Sequence, residues 1–374
     1  MIPLWKVRRE SLRIRQIILA WVGNFYEPRL KRQHDLWREK QPEPRNLSVI
    51  LAGKVAIFLI YQPKGIVPSI FTTLKWLVAN GYAPFVIANA PVSNIDRDKI
   101  SALAWRLFER PNFGYDFGGY RDGVLLLKTW GIEPERLLII NDSVWMPTRA
   151  GSTLLTRLEA VEADVVGGIT HSDTRQRNGK VRRGHLESYL YLLNLRAFKS
   201  LAFLGFWINY PASNNRLNAV YLGERRFPDV MKNGGLLVEG LFSKDRFLEK
   251  LSEQENYILR LTLKYASYIE PELAAEGRKL LKDYSTSDNW HNLALAHIRR
   301  TVDRRRFNAV FAYPSDAVFG MDFIKKSAGS TGDGGASLHS RMRKKLLSAV
   351  IADELPPLLP EVQAEIASLE AKNA

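Results

Sequence analysis

The chain contains no cysteine. Disulfides, thiol nucleophiles and thiolate metal ligands are therefore excluded, and a reducing compartment fits. Long apolar runs are missing too; none approaches the roughly 18 residues that read as a membrane span. The N-terminus shows no uninterrupted signal-peptide core with a small-residue cleavage site. A cytoplasmic protein, at most peripheral on the inner face of a membrane, is the expectation. Acidic residues are outnumbered, 39 against 54 basic, for a formal charge of +15. That excess favours acidic partners: nucleic acid, anionic lipid or phosphorylated small molecules. Composition alone does not choose among them. Internal repeats are also absent.

What is present is enough for a sizeable core. The 374 residues are 46% hydrophobic and 25% charged, which suits one large domain with extensions, or two domains. Residues 1–46 are basic and Trp-bearing, with Leu4, Val7, Leu12, Ile14, Ile18 and Trp21 at roughly helical spacing among arginines. Such a segment either lies in a membrane interface or docks on the domain with a solvated basic face. Arg29 to Arg45 reads as a linker.

From residue 47 the pattern alternates. Residues 54–61 (KVAIFLIY) read as a buried strand and 67–80 as a helix with Pro68 at its start. Residues 83–90 read as a second strand, and Asp96 to Phe108 as a helix capped by Ser93 or Asp96. Leu137 to Ile140 is an aliphatic central strand. Ser152 to Val161 reads as a helix, 163–170 and 187–195 as strands, 197–207 as a helix and 234–242 as a last strand. Alternation of this kind predicts an α/β domain over 47–247, its mostly parallel sheet flanked by helices. Residues 248–326 read as a helical region. Residues 327–374 read as a Gly/Ser-rich linker followed by terminal helices.

The chemistry-bearing stretch is Arg110 to Pro147. In 112–121 (NFGYDFGGYR), three glycines within six positions let backbone approach a ligand closely. The helix expected to begin near Gly119 turns its N-terminal amides toward that loop. Arg121 adds a cation, Tyr115, Phe117 and Tyr120 offer rings, and Asp116 can accept from a sugar hydroxyl. No Gly-Lys-Ser/Thr follows and the glycine spacing is not G-x-G-x-x-G, so neither phosphate-loop fingerprint applies. In Asn141-Asp142-Ser143 a carboxylate closes an aliphatic strand. Burying it is costly unless it is paired or metal-bound, and such oxygens suit Mg2+ or Mn2+ on a diphosphate. Simple capping of the next turn is the alternative. His171, His185 and Glu187 flank a polar, basic loop, residues 171–184, of active-site length. One of them is a candidate base or ligand.

The order strand, Asn112-x-Gly114, helix, aliphatic strand, Asp142 resembles nucleotide-diphospho-sugar transferases of the GT-A fold. More specifically, NFGYDFGGY, LLIINDSVWMP, VVGGITHS and HLESYLYLLNLRAF followed by FW resemble the rhamnan synthesis protein F family, over roughly residues 50–245. The resemblance implies transfer of a sugar, with rhamnose from a dTDP donor as one candidate, to a polysaccharide or lipid-linked glycan. It implies that Asn112, Gly114 and Asp116 belong to the donor turn; by their place in the sequence Tyr120, Arg121 and Asn141 are further candidates for binding the donor. Asp142 holds the metal carboxylate's place, and His185, Glu187, Ser188 and Tyr189 lie near the acceptor. One acid stands where the general pattern has two. An ion at Asp142 is then held through diphosphate and water, or replaced by Arg or Lys. Glu187, Asp116 and His185 are the candidate bases; Arg121 or a cation in 175–183 screens the leaving group. Two other readings are a non-catalytic nucleotide-sugar or glycan binder on the same fold, and a nucleic-acid binder. The second accounts for neither Asp142 at a strand end nor the alternating pattern, so no nucleic-acid partner is expected.

Overall fold

A computed structural model describes residues 26–175, 181–182, 184–327 and 337–372, with residues 10, 11 and 14 besides. The apolar positions of residues 1–25, other than Ile14, fall outside the described residues, as do the cations of 176–180 and most of the Gly/Ser segment. The chain divides into two compact units, one of residues 1–142 and 155–241, the other of 143–154 and 242–374.

In chain order the elements are α1 (26–39), β1 (Lys54–Ile60), α2 (Pro68–Ala79), β2 (Tyr82–Ala88), α3 (Asn94–Ser101), β3 (Arg106–Glu109), α4 (Tyr115–Thr129) and β4 (Arg136–Asn141). Next come β5 (Val144–Trp145), α5 (Leu154–Glu159), β6 (Val165–His171), β7 (Thr174–Arg175), β8 (Val181–Arg182), β9 (His185–Leu186) and β10 (Leu190–Asn194). The first unit closes with α6 (Leu195–Lys199), α7 (Leu201–Asn209), α8 (Arg216–Asn218), a π-helical segment Ala219–Arg225, α9 (Arg226–Asn233) and β11 (Val238–Phe242).

The first unit is built on a mixed, mostly parallel sheet in the order β11-β6-β10-β4-β1-β2-β3, with β9 paired to β6. β1, β2, β3 and β4 run parallel. β10 runs antiparallel between β4 and β6. The six residues Val55 to Ile60 and all of β2 are buried, as continuous aliphatic strands covered on both faces must be. The α/β class expected from the alternation is the one observed. The observed elements depart from the sequence pattern at several points. Asp96 to Phe108 is not one helix: α3 stops at Ser101, and β3 follows because the Trp105 amide bonds to Pro84 O at the edge of β2. Residues 197–207 are broken at Ser200, whose side chain caps α7. The expected linker is helical through residue 39.

Two features fix α4 over the sheet. Gly114, at φ +82°, adopts the left-handed conformation that a side chain resists, and it starts the helix at Tyr115, earlier than Gly119. Farther along, a Cβ on Gly119 would meet Leu59 Cδ1 at 2.3 Å and one on Gly123 would meet Ile57 at 3.0 Å. The missing side chains let α4 lie close on β1. Gly119→Ala should therefore cost about 1–3 kcal/mol through overpacking, read from urea denaturation of the purified chain. An unchanged midpoint would show that Leu59 can move aside.

The second unit comprises β5 and the helices α10 (Lys244–Ser252), α11 (Asn256–Lys264), α12 (Pro271–Lys282), α13 (Asp288–Arg304), α14 (Phe307–Val310) and α15 (Ala312–Ala317). It ends with β12 (Ile324–Lys325), α16 (Leu338–Ile351) and α17 (Pro360–Lys372). β12 pairs antiparallel with β5. Its cores gather Trp145, Leu261, Ile324, Leu346 and Ile366 in one cluster, and Phe247, Phe307, Phe311 and Phe319 in a set of stacked and edge-on rings. No helix of the described residues is long and apolar enough to cross a membrane.

Candidate functional site

The order of the parallel strands creates a crevice. β2 and β3 follow β1 on one side, and the chain then returns to place β4 on the other side. Beyond the C-terminal ends of β1 and β4 the connections diverge, which is where open α/β sheets bind ligands. Asp142 directly follows β4 and lies at that point. Its Oδ2 accepts from the Tyr61 amide (2.8 Å) and from Gln62 Nε2 (2.6 Å), both just past β1. Its own amide donates to Leu59 O at 3.1 Å. Oδ1 has no hydrogen-bond partner among the described residues. The carboxylate is half-buried, with one oxygen anchoring it and the other available.

Beside it stands Asn141, buried, whose Nδ2 donates to Asp116 Oδ2 at 2.9 Å. Asp116 occupies the first turn of α4, where the helix N-terminus favours negative charge. Two buried tyrosines lie beneath this group. The Tyr120 hydroxyl donates to Ser188 O at 2.9 Å. Burial, then the charge of Asp116, pushes its pKa well above the usual range. Tyr191 is raised in the same way, by burial and then by Glu224, Glu187 and Asp116. The Tyr191 hydroxyl is buried without a partner among the described residues.

β6 and β9 bring the two histidines together, because His171 and His185 are partners in the strand register. Their rings are 4.9 Å apart. Each is backed by a carboxylate. Glu187, only 2% exposed, bonds His171 Nε2 through Oε1 at 2.9 Å. Glu224 Oε1 lies 3.3 Å from His185 Nε2, and its Oε2 accepts from Ser188 Oγ at 2.8 Å. His185 Nδ1 is buried without a partner among the described residues. The structure thus presents two histidine–carboxylate pairs side by side.

Glu224 is the residue the sequence reading passed over as a site member. It sits in the π-helical segment Ala219–Arg225, and such insertions often mark functional sites. The helical run of 214–226 is visible in the sequence; the widened turn that aims Glu224 at Ser188 is not.

Arg121 is placed elsewhere. It is 3% exposed, its Nε donates to Trp207 O at 2.9 Å, and its terminal nitrogens hold the Asp35 carboxylate of α1. The guanidinium expected to screen a leaving group therefore ties α1 to α4 instead. Asn112 is exposed and makes no side-chain hydrogen bond among the described residues. The Gly114 amide donates to Asn214 Oδ1 at 3.0 Å. Under the turn, Arg110 is sequestered with Asp122, Asn89 and Phe113 O in a buried polar network.

Among the described residues no group of three His, Asp or Glu side chains is arranged to hold a metal. At the strand ends Asp142 presents one carboxylate oxygen, Oδ1, that is not taken up by Tyr61 or Gln62.

Residues 85–262 match the model of a family described as rhamnan synthesis protein F. A protein of Sinorhizobium fredii, the uncharacterized protein y4gN, is 31% identical over 215 residues, 58% of this chain and 55% of its own length. This chain thus spans little more than half of that curated relative. Among solved structures, the mannosyltransferase PcManGT from Pyrobaculum calidifontis, in complex with GDP-Man and Mn2+, is 12% identical; the match covers 96% of this chain and 90% of that one, with a TM-score of 0.31. The mannosyltransferase Ktr4p from S. cerevisiae is 10% identical; the match covers 57% of this chain and 78% of that one, with a TM-score of 0.30.

Proposed function

We propose that the protein is a glycosyltransferase, a reading supported by the match of residues 85–262 to the model of the rhamnan synthesis protein F family. It moves a sugar from a nucleotide diphosphate to a polysaccharide or lipid-linked glycan, with dTDP-rhamnose as the first donor to test. The observation that carries the reading is Asp142 at the switch point between β1 and β4, one carboxylate oxygen fixed and one open. An ion-binding or donor-orienting role explains why a carboxylate ends an aliphatic strand there.

In the proposed reaction the acceptor hydroxyl oxygen bonds to the anomeric carbon of the donor. The bond from that carbon to the diphosphate breaks, and the nucleoside diphosphate leaves with the electron pair. The acceptor proton passes to a base on the protein. Glu187 is too enclosed to meet an acceptor itself; it orients His171, whose side chain is 22% exposed. The His185–Glu224 pair is the other route for the proton. Asn141 and the helix terminus hold Asp116 where a sugar hydroxyl can donate to it. A divalent ion held by Asp142 Oδ1 would neutralise charge developing on the diphosphate.

A thermal-shift screen of the full chain tests the assignment, using dTDP-rhamnose, dTDP-glucose, UDP-glucose and GDP-mannose with and without Mn2+. One nucleotide sugar should raise the melting temperature, since ligand at 100 times its Kd adds about 2.7 kcal/mol. Absence of any shift with all four donors would overturn it. A shift without transfer to any glycan would point to a non-catalytic binder.

A further inference from the structure

A cavity of about 410 Å3 opens on the flank of the Asp116 turn, lined by Tyr115, Asn214, Asn215, Arg216, Tyr221 and Arg225. Of these six residues, only Tyr115 belongs to the Gly-rich turn.

The charges in it are unusual. Several arginines of this unit meet carboxylates, among them Arg110 on Asp122, Arg121 on Asp35 and Arg196 on Asp164. Arg216 and Arg225 have no carboxylate partner among the described residues. The Nε of Arg225 is buried without a hydrogen-bond acceptor among the described residues, a state that normally costs free energy. Its guanidinium lies over the Tyr221 ring, 4.6 Å from Cζ to the centroid. That contact helps hold the group in place, and Arg225 lines the cavity.

The rings are unusual as well. Tyr115 and Tyr221 are 42% and 56% exposed. Tyr115 is held at φ +53°, a left-handed conformation that is uncommon for a bulky residue and worth a functional explanation.

The walls are coupled to the site already described. Asn214 Oδ1 holds the Gly114 amide. Tyr115 precedes Asp116, and Arg225 follows Glu224. Gly223 is packed so closely on Phe117 that a Cβ there would meet its ring at 2.6 Å. The π-helical segment therefore packs directly against the first turn of α4.

We propose that this cavity is the acceptor subsite, and that it takes a sugar ring carrying a negative charge. The ring would lie on the tyrosine faces, and a phosphate or carboxylate would complete Arg216 and Arg225. Bidentate anion recognition is what free guanidinium groups offer and lysines do not. The acceptor role rests on the glycosyltransferase reading; the binding of an anionic sugar does not.

Titration calorimetry of the full chain with glucose 1-phosphate, glucuronic acid, methyl glucoside and inorganic phosphate tests it. Sugar phosphate, uronic acid or both should bind, and the arm that does distinguishes a phosphate-linked acceptor from an acidic glycan. Methyl glucoside and phosphate alone should bind at least tenfold more weakly. Arg225→Gln should weaken the tightest probe roughly tenfold or more, as should Tyr221→Ala, while donor-induced thermal shifts stay those of the unaltered chain. Arg225→Lys keeps the charge and guards against a folding artefact; it should recover only part of the affinity. Equal binding of methyl glucoside, or affinity indifferent to both Arg225→Gln and Tyr221→Ala, would overturn the subsite. Anionic-sugar binding without any nucleotide-sugar binding would uphold the pocket and sink the transferase reading.

Discussion

Asp122→Ala should destabilise the first unit by about 3–5 kcal/mol and lower its unfolding temperature by roughly 10 °C. Asp122 is wholly buried, and its carboxylate meets Arg110 Nε at 2.7 Å, His34 Nε2 at 2.6 Å and Arg38 at 3.3 Å. The Arg110 side chain is itself fully enclosed. Truncating the acid leaves that guanidinium in the interior without its counter-charge, and this uncompensated charge is the source of the loss. Limited proteolysis across a temperature series would measure it. A double variant, Arg110→Met with Asp122→Leu, should recover part of the stability, because replacing both charges removes the orphan. Recovery stays partial, since Asn89 and the Phe113 carbonyl lose their donor. Wild-type stability in Asp122→Ala alone would show that Arg110 does not depend on it.

The same group sets an acid limit. Burial by itself would raise the Asp122 pKa, but Arg110 and then His34 outweigh it and bring the value from 3.8 to about 2. A carboxylate depressed in the folded state contributes stability that is present in full above its unfolded value. That contribution, roughly 2 kcal/mol, should fade as pH falls from about 4 toward 2. In Asp122→Ala this part of the acid dependence should vanish; an unaltered acid profile would assign it to other carboxylates.

Why Arg110 and Arg121 were hard to place from sequence is physical. Both look like cations beside a Gly-rich turn, and the partner that captures Arg121 lies 86 residues upstream on α1. Local pattern carries no record of such a pairing. By contrast, the runs of β1 and β4 could be read directly, because strands covered on both faces must be aliphatic throughout. Asp142 stood out for the same reason: a charge ending such a run has few ways to be tolerated. The antiparallel insertion of β10 was not legible, since LYLLN satisfies either strand direction. The break between α3 and β3 was missed because Trp105 and Phe108 fit a helical spacing as well as an edge strand. Glu187 was visible as a strand-entry acid, yet its burial behind His171 depends on the β6–β9 register. Glu224 needed the π-helical turn, which adds a residue without leaving a compositional sign.

Asp142→Ala should lower sugar transfer about 100- to 1,000-fold, the size of effect seen when one aligned electrostatic group is removed from a charge-developing site. Folding should persist, because the side chain is half-exposed and what it loses is two bonds to residues just past β1. Asp142→Asn separates the two uses of the carboxylate. The amide oxygen can still accept from Tyr61 N–H and Gln62 Nε2, so the end of β1 stays organised, but the charge facing the crevice is gone. If Asp142 works through charge, on an ion or on the orientation of a diphosphate, Asn and Ala should fall together, and any Mn2+ dependence of the donor-induced thermal shift should disappear in both. If its task is only to brace the strand ends, Asn should retain most of the activity while Ala loses it. Measuring kcat and KM for the donor decides further: a contribution made only in the transition state lowers kcat and leaves KM near its original value. Turnover unchanged in Asp142→Ala would remove this residue from the reaction and leave the histidine–carboxylate pairs to carry it.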